Sequence, residues 1–378
     1  MREPLNRPGR IAATLLCPGA NPLVAAGRAV LSWLVKALQL IVHGRPGRFR
    51  FGDVPEPAPG PGEVVVEVHA CGLNHLDLWL EEAGLPIEVQ LPRIPGGEVA
   101  GTVAALGEGV SGWAIGERVA IQSNLFCGEC EFCRRGDQSL CLNSQLLGVN
   151  RDGGFAERVA APARALVRLP NAVEFQTTAA LTLAGSTAMH MLTDRTEVRP
   201  GNWVLVIGGA SGVGSAAIQI ARQLGGRVIA TGSTEGKRQL ARELGAEAAV
   251  DSTRDDWPVE VRRLTGKRGV DLVVEHVGGG VLAQCFHCLA RGGTVVTCGA
   301  TAGREVPLNL WPLFVKQQRL VGSYGRDRAD LERTLDWAAR GWLRPVIDRT
   351  VPLAEAEEAF HDLRHRRVKG KLVILPRA

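Results

Sequence analysis

From Gly201 onward the chain repeats one unit: a short, almost wholly apolar run, then a stretch of helical spacing that stops at glycine. The runs are NWVLVIGG, RVIATG, AEAAVD, VDLVVEHV, GGTVVTCGA and RLVGSYG. Such runs suit strands of a parallel sheet covered on both faces, since neither side has to face water. Between them, GSAAIQIARQLG and KRQLARELG place apolar residues at helical intervals and end on the residue that most easily terminates a helix. Six strands joined by crossover helices predict a doubly wound dinucleotide-binding sheet. Upstream, KALQLIVHG, RFRFGDVPEP, EVVVEVHACG, GEVAGTVAALG, ERVAI and FAERVAAP are short strands divided by Pro and Gly turns, which predicts a small irregular β-barrel. The stretch TTAALTLAGSTAMHMLTD reads as helix, RADLERTLDWAARG as another, and GKLVILPR as a closing strand that returns to the barrel. The fold class is therefore α/β in two parts.

A chain of 378 residues has room for two or three domains. Its net charge of +5 does not point to nucleic acid: Arg2, Arg7, Arg10 and Arg28 against Glu3 supply three of those charges, and no long basic run follows. No apolar stretch approaches the roughly 18 residues that a bilayer demands, Arg28 and Lys36 interrupting the best candidate. Residues 1–34 imitate a signal peptide, but Pro18 and Gly19 break the apolar run. They are expected to be a poorly structured extension or a start-site artefact, with the chain proper beginning near Val35. Nine cysteines in a chain of this size, four of them at metal-ligand spacing, fit a reducing, cytoplasmic setting.

The nucleotide signal is VLVIGGASGVGSAAIQIA. A strand ends at Gly208-Gly209, turns through Ala210 and Ser211, and opens a helix at Gly212-Val213-Gly214. Glycines allow the backbone to approach a pyrophosphate, and the helix N-terminus offers N–H groups and a positive dipole. The end of the second strand reads the ribose. An acid there favours NAD, but this chain has Thr231, Gly232, Ser233 and Thr234, then Lys237 and Arg238, which favours the 2′-phosphate of NADPH. A solvated first helical turn is the bland account of Lys237 and Arg238.

Cys127-x2-Cys130-x2-Cys133-x7-Cys141 suits a closed tetrahedral zinc site, one structural ion per chain. A ferredoxin-type cluster would need the fourth cysteine after three residues, followed by proline. Here the gap is seven and Leu142 follows. Cys285 and Cys288 sit within a helical pattern and are expected to pack as small apolar residues. His190, His276 and His365 show no partner in the sequence.

GEVVVEVHACGLNHLDLW, the four-cysteine lobe, GGFAERV, GGASGVG and GKLVIL occur in the order found in the medium-chain dehydrogenase/reductase superfamily, which residues 35–378 resemble. The resemblance implies a GroES-like catalytic domain at 35–183 with its zinc lobe at 127–141, a Rossmann NADP-binding domain at 184–324, and a return to the catalytic domain at 325–378. It also implies an active site in the cleft between the two domains. Quinone oxidoreductase-like and alcohol dehydrogenase-like members look most similar. It further implies that Asn74 orients substrate, that His75 donates a proton or contacts phosphate, and that Thr187 packs against the nicotinamide. Val277-Gly278 and Cys298-Gly299-Ala300 would lie near the carboxamide. Tyr324 is the one tyrosine of the chain and a weaker proton-donor candidate, while Asp77 is expected to be structural. A homodimer through RLVGSYG is implied as well.

The family's catalytic zinc ligands would fall at Asn74, Gly97 and near Leu183, and none of these is a usual zinc ligand. A substitute site of Cys71, His75 and Glu98 is the alternative. The expected activity is NADPH-dependent hydride transfer to a small-molecule acceptor, a quinone or α,β-unsaturated carbonyl, without catalytic zinc. The rivals are a zinc alcohol dehydrogenase using other ligands and a dinucleotide-binding protein without catalysis.

Overall fold

The computed structural model describes residues 33–378, and the expectation for the N-terminal extension lies outside them but for Trp33 and Leu34. Strands β1 (Leu34–Val42) and β2 (Arg48–Pro55) form an antiparallel hairpin. There follow β3 (Glu63–Gly72), α1 (His75–Glu81), β4 (Glu98–Leu106), β5 (Arg118–Ile121) and β6 (Asn124–Leu125). The cysteine lobe with α2 (Glu131–Arg134) comes next, then β7 (Gln145–Leu146), β8 (Arg158–Pro162) and β9 (Leu166–Arg168). In β3, Val64, Val66 and Val68 are fully buried and pack on Val99, Val119, Ile121 and Phe155, as their alternation requires.

Helices α3 (Phe175–Leu181) and α4 (Ala184–Thr193) lead into the second part. The sequence reads as one helix here, and the structure makes two. The Glu98 carboxylate accepts from the N–H groups of Leu183 (2.7 Å) and Ala184 (2.8 Å), so a side chain from the barrel satisfies the first orphan donors of α4. The parallel sheet is built from β10 (Trp203–Val206), β11 (Arg227–Gly232), β12 (Ala248–Asp251), β13 (Val270–Glu275), β14 (Leu289–Thr297) and β15 (Arg319–Gly322). Its spatial order is β12-β11-β10-β13-β14-β15, the doubly wound arrangement. Helices α5 (Gly212–Gln223), α6 (Glu235–Glu243), α7 (Trp257–Leu264), α8 (Gly279–Cys288) and α9 (Leu310–Val315) connect the strands. Val204 and Val206 join Ala216 and Ile220 on one face, while Leu205 joins Trp257, Val261 and Cys285 on the other. Both faces are covered, which is why the strand sequences show no polar alternation. Cys285 and Cys288 are buried in α8, as their helical spacing implies.

After β15 the chain forms α10 (Arg328–Ala339), β16 (Ile347–Pro352), α11 (Ala356–Arg364) and β17 (Lys371–Leu375). Strand β17 pairs with β16 and antiparallel to β3, completing the barrel sheet β16-β17-β3-β4-β5-β9 with β8 also on β3. Just before β17, Gly370 N–H donates to Ala210 O (2.7 Å), so the returning segment touches the glycine-rich loop directly. Among the described residues, no helix is long and apolar enough to cross a membrane.

Candidate active site in the interdomain cleft

The glycine-rich loop turns from β10 into α5. Ser211 caps the helix, its Oγ accepting from Gly214 N–H at 2.9 Å, and this leaves the N–H groups of Gly212 and Val213 uncommitted among the described residues. Gly209 and Gly214 admit no side chain: a Cβ would lie 2.8 Å from Ala230 Cβ and 2.2 Å from Gly208 O, respectively. Gly212 is needed for another reason. Its Cβ would stand 2.6 Å from the Lys371 side chain, which passes over the loop into the cleft. His276 Nε2 lies 2.9 Å from Ile207 O and 3.2 Å from Ser211 Oγ, and enclosure by the loop lowers the histidine's pKa.

The sequence offered Glu98 only as a ligand of the substitute metal site and gave Lys371 no role, yet the two hold the cleft together. The Lys371 ammonium sits 2.5 Å from Glu98 Oε2, 2.7 Å from Leu73 O and 2.6 Å from Asn74 Oδ1, with both ionic side chains buried. One carboxylate thereby joins β4, the N-terminus of α4 and β17. Asn74 has its carbonyl oxygen taken by Lys371, so its amide NH2 is the end free to donate, apart from a long 3.4 Å contact to Gly72 O. Gly72 can carry no side chain, because a Cβ would meet Glu98 Oε2 at 2.1 Å.

His75 opens α1 beside Asn74 with its ring exposed. The protein bulk around the cleft, then His276, Lys371 and Arg366, hold its pKa below the usual histidine value. It is therefore neutral at pH 7 and suited to relay a proton rather than to store one. Asp77 is structural, as expected: its two oxygens accept from Asn74 N–H (2.8 Å) and Gly96 N–H (3.0 Å), and burial raises its pKa to about 6. Thr187 is buried in the first turn of α4. Val277 and Gly278 follow β13, where both N–H groups are held by Glu275, and Gly299 follows β14. These are C-terminal ends of parallel strands, the usual place for a dinucleotide. Tyr324 is exposed.

At the ribose end, Ser233 is exposed. Arg238 is not a free cation, because it pairs with Asp251 (2.9 Å) and Glu235 (3.0 Å) and donates to Gly232 O. Lys237 instead stands with Arg366 and Lys369, and burial with these two cations lowers its pKa. The basic group at this position thus includes two residues from the far C-terminal segment, which no local motif could show.

In the cysteine lobe, the ligand atoms of Cys127, Cys130, Cys133 and Cys141 lie within 4.8 Å of one another, and Cys127 Sγ is 3.9 Å from Cys133 Sγ. A tetrahedron with metal–sulfur bonds of 2.3 Å has edges of about 3.8 Å, so the set fits zinc. Backbone N–H groups of Glu129 and Cys130 bring the Cys127 thiol down to about 6, toward the thiolate that a metal needs. The lobe also grips the second part of the chain: Ser139 N–H donates to Asp327 (2.7 Å), and Gln138 accepts from Arg328 N–H (2.7 Å) at the start of α10.

Among the described residues, the three positions expected to hold a second metal in the cleft carry no matching ligand set. Asn74 Oδ1 is engaged by Lys371, Gly97 has no side chain, and Leu183 offers no ligand atom. The alternative trio also fails. Cys71 is packed beside Phe155 and the Gly96 and Gly154 backbone, Glu98 is committed to Lys371 and α4, and Cys71, His75 and Glu98 are not brought within ligating reach of one another. Among the described residues, the one other metal-like cluster is His190, Asp327 and Asp330. There the His190–Asp330 hydrogen bond (2.8 Å) ties α4 to α10. Neither His276 nor His190 gave a partner in the sequence, because both partners are distant in the chain.

This two-part fold with a nucleotide loop at the cleft has known relatives. The alcohol dehydrogenase GroES-like domain matches residues 60–171, and the zinc-binding dehydrogenase domain matches 212–340. An alcohol dehydrogenase of Geobacillus stearothermophilus is 32% identical over 324 residues, spanning 85% of this chain and 94% of its own. Among solved structures, an NAD-dependent alcohol dehydrogenase superimposes with a TM-score of 0.86 at 40% identity, covering 90% of this chain and 99% of its own. AibC does so with a TM-score of 0.86 at 36% identity, covering 95% and 100%. A crotonyl-CoA carboxylase/reductase in complex with NADP aligns at 25% identity with a TM-score of 0.83, covering 94% and 97%. The chain belongs to the medium-chain dehydrogenase/reductase superfamily. It is an NAD(P)-dependent oxidoreductase.

Two outcomes follow for the scaffold. Lys371→Met strands a buried carboxylate and is expected to cost about 3 kcal/mol in urea unfolding. The raised pKa of Asp77 means that the folded chain binds this proton more tightly than the unfolded one. Its contribution therefore grows as pH falls from about 6 toward the ordinary carboxylate range and is lost above it. Compared with Asp77→Asn, the wild type should gain relative stability between pH 7 and pH 4.5; an unchanged difference would contradict this.

Proposed function

We propose that the protein is an NADPH-dependent reductase of quinones or α,β-unsaturated carbonyls, with one structural zinc per chain in the cysteine lobe and hydride transfer that needs no metal in the cleft. The observation that carries this reading is the side-chain set Asn74, Gly97 and Leu183, with Glu98 already neutralised by Lys371. An unactivated ketone calls for a Lewis acid at its developing alkoxide. A quinone or enone spreads the same charge over a conjugated system, where hydrogen bonds suffice.

The nicotinamide supplies the hydride. On the substrate, the hydride adds to the electron-poor carbon, the π pair moves to the carbonyl oxygen, and a proton from solvent completes reduction. Asn74, oriented by Lys371, donates toward the acceptor, and neutral His75 relays the proton. Thr187, Val277 and Gly299 form the nicotinamide end of the site, and Gly209, Ser211, Gly212, Val213 and Gly214 the pyrophosphate end. Lys237, beside Arg366 and Lys369, favours a 2′-phosphate, with Ser233 leaving room for it. Four cysteines gathered for a metal and four others unpaired among the described residues suit a reducing cytoplasm. The relatives named alcohol dehydrogenases favour a second reading, zinc-dependent alcohol oxidation.

A panel of quinones, enones, aldehydes and alcohols, run with NADPH and NADH side by side, separates these readings. Quinone or enone reduction faster with NADPH, in protein holding about one zinc per chain, is the expected result. Turnover of simple alcohols alone with about two zinc ions per chain would establish the rival, and tight NADPH binding without any turnover would mark a non-catalytic binder.

We further propose a homodimer paired across β15. This is the edge strand of the parallel sheet, and Leu320, Trp311, Phe314 and Tyr324 are exposed on it or beside it. Light scattering should give twice the 40.4 kDa chain mass, and Leu320→Arg should lower it. A wild-type monomer would refute the pairing.

A further inference from the structure

The strand β15 ends at Gly322, and Ser323–Arg326 follow it at the C-terminal edge of the parallel sheet. This turn meets the barrel residues Gln122–Asn124. Gln122 Nε2 donates to Arg326 O at 3.1 Å, and Gly325, at φ +63°, lies so close to the Asn124 amide that a Cβ would stand 2.9 Å from its nitrogen. Arg326 is 3% exposed and Asn124 1%.

Buried polar groups are ordinarily paired, because an unmade hydrogen bond away from water is costly. Single exceptions such as Ser144 Oγ and Gln318 Oε1 are scattered over the described residues, but around this turn they gather, Gln122 Oε1 among them. Arg326 Nε and Nη2, both amide atoms of Asn124, and the hydroxyls of Ser123 and Ser323 have no hydrogen-bond partner among the described residues. The Glu98 carboxylate, whose charge acts on Arg326, is itself engaged by Lys371 and the start of α4. Tyr324 and Asp330 are the other acidic groups acting on Arg326; Asp330 bonds His190 through Oδ2, while its Oδ1 is also without a partner. Burial lowers the guanidinium pKa to about 10, so it keeps its charge at neutral pH.

We infer that Arg326, with Asn124 and Ser123, is the oxygen-anion subsite of the cleft and receives the carbonyl oxygen of the acceptor as it gains charge. The inference rests on the reductase reading above and supplies the electrophilic partner which that reading otherwise lacks. A planar cation with free N–H groups beside a carboxamide matches an enolate or phenolate oxygen, and equally the oxygens of a small carboxylate. As hydride reaches the electron-poor carbon and the π pair shifts to oxygen, the guanidinium bears against the new negative charge. The proton that completes reduction comes from solvent.

The test uses the full chain with wild type, Arg326→Lys and Arg326→Met, measuring enone reduction, NADPH affinity and inhibition by benzoate in the presence of NADP+. Arg326→Met should lose roughly 100-fold or more in kcat, the scale for one oxyanion donor, with NADPH affinity unchanged. Benzoate should compete with the acceptor in wild type and weaken about tenfold in either variant, since lysine lacks the fork. Should the methionine variant fail to fold, the lysine variant and wild-type benzoate binding still decide. No benzoate binding to wild type, or a folded Arg326→Met with wild-type kcat, overturns the subsite while leaving the reductase reading intact. A loss confined to NADPH affinity also overturns it, assigning Arg326 to the cofactor. If wild type reduces neither quinones nor enones yet binds benzoate through Arg326, the reductase reading falls and the subsite stands.

Discussion

The contact between Glu98 and Lys371 organises the cleft. A carboxylate and an ammonium, both withdrawn from water, are stable together only if their remaining valences are met, and here they are met by structure from both halves of the chain. Glu98 starts α4 by taking its first N–H groups, while Lys371 spans from the nucleotide loop to the end of β3. Neither residue can move without loosening the other. The same pair holds the Asn74 carbonyl oxygen and leaves its NH2 as the donor, which on the proposed function would make a structural ion pair part of the chemistry.

That arrangement also explains the bareness of the site. Gly72, Gly97 and Gly212 are open where side chains would collide with Glu98, approach Ser123, or block Lys371. Two buried cations, Lys371 and Arg326, lie close to Glu98. On the proposed function, a cleft built in this way would meet charge that appears on oxygen with groups fixed before the reaction begins.

Much of this was legible in the sequence. The strands of the parallel sheet, the nucleotide loop and the cysteine spacing are local patterns, and local patterns survive reading one residue after another. Val204, Leu205 and Val206 announce a doubly covered strand with no help from the rest of the chain. The break between α3 and α4 was not legible, because it is made by Glu98, some 85 positions away. Lys371, Arg326, Asn124 and the pairing of His190 with Asp330 escaped for the same reason: each looks ordinary until a distant segment is set against it. Arg238 erred in the opposite direction, a cation that seemed available but is claimed by Asp251 and Glu235.

The grip of the cysteine lobe on α10 links two regions that are usually thought of separately. Gln138 and Ser139 stand just ahead of Cys141, and Asp327 and Arg328 just behind Arg326. The lobe is thus a strut that holds the segment carrying Arg326. With Arg326 facing the acceptor as proposed, stripping or crowding the lobe's thiols would be felt as a change in which molecules the enzyme accepts.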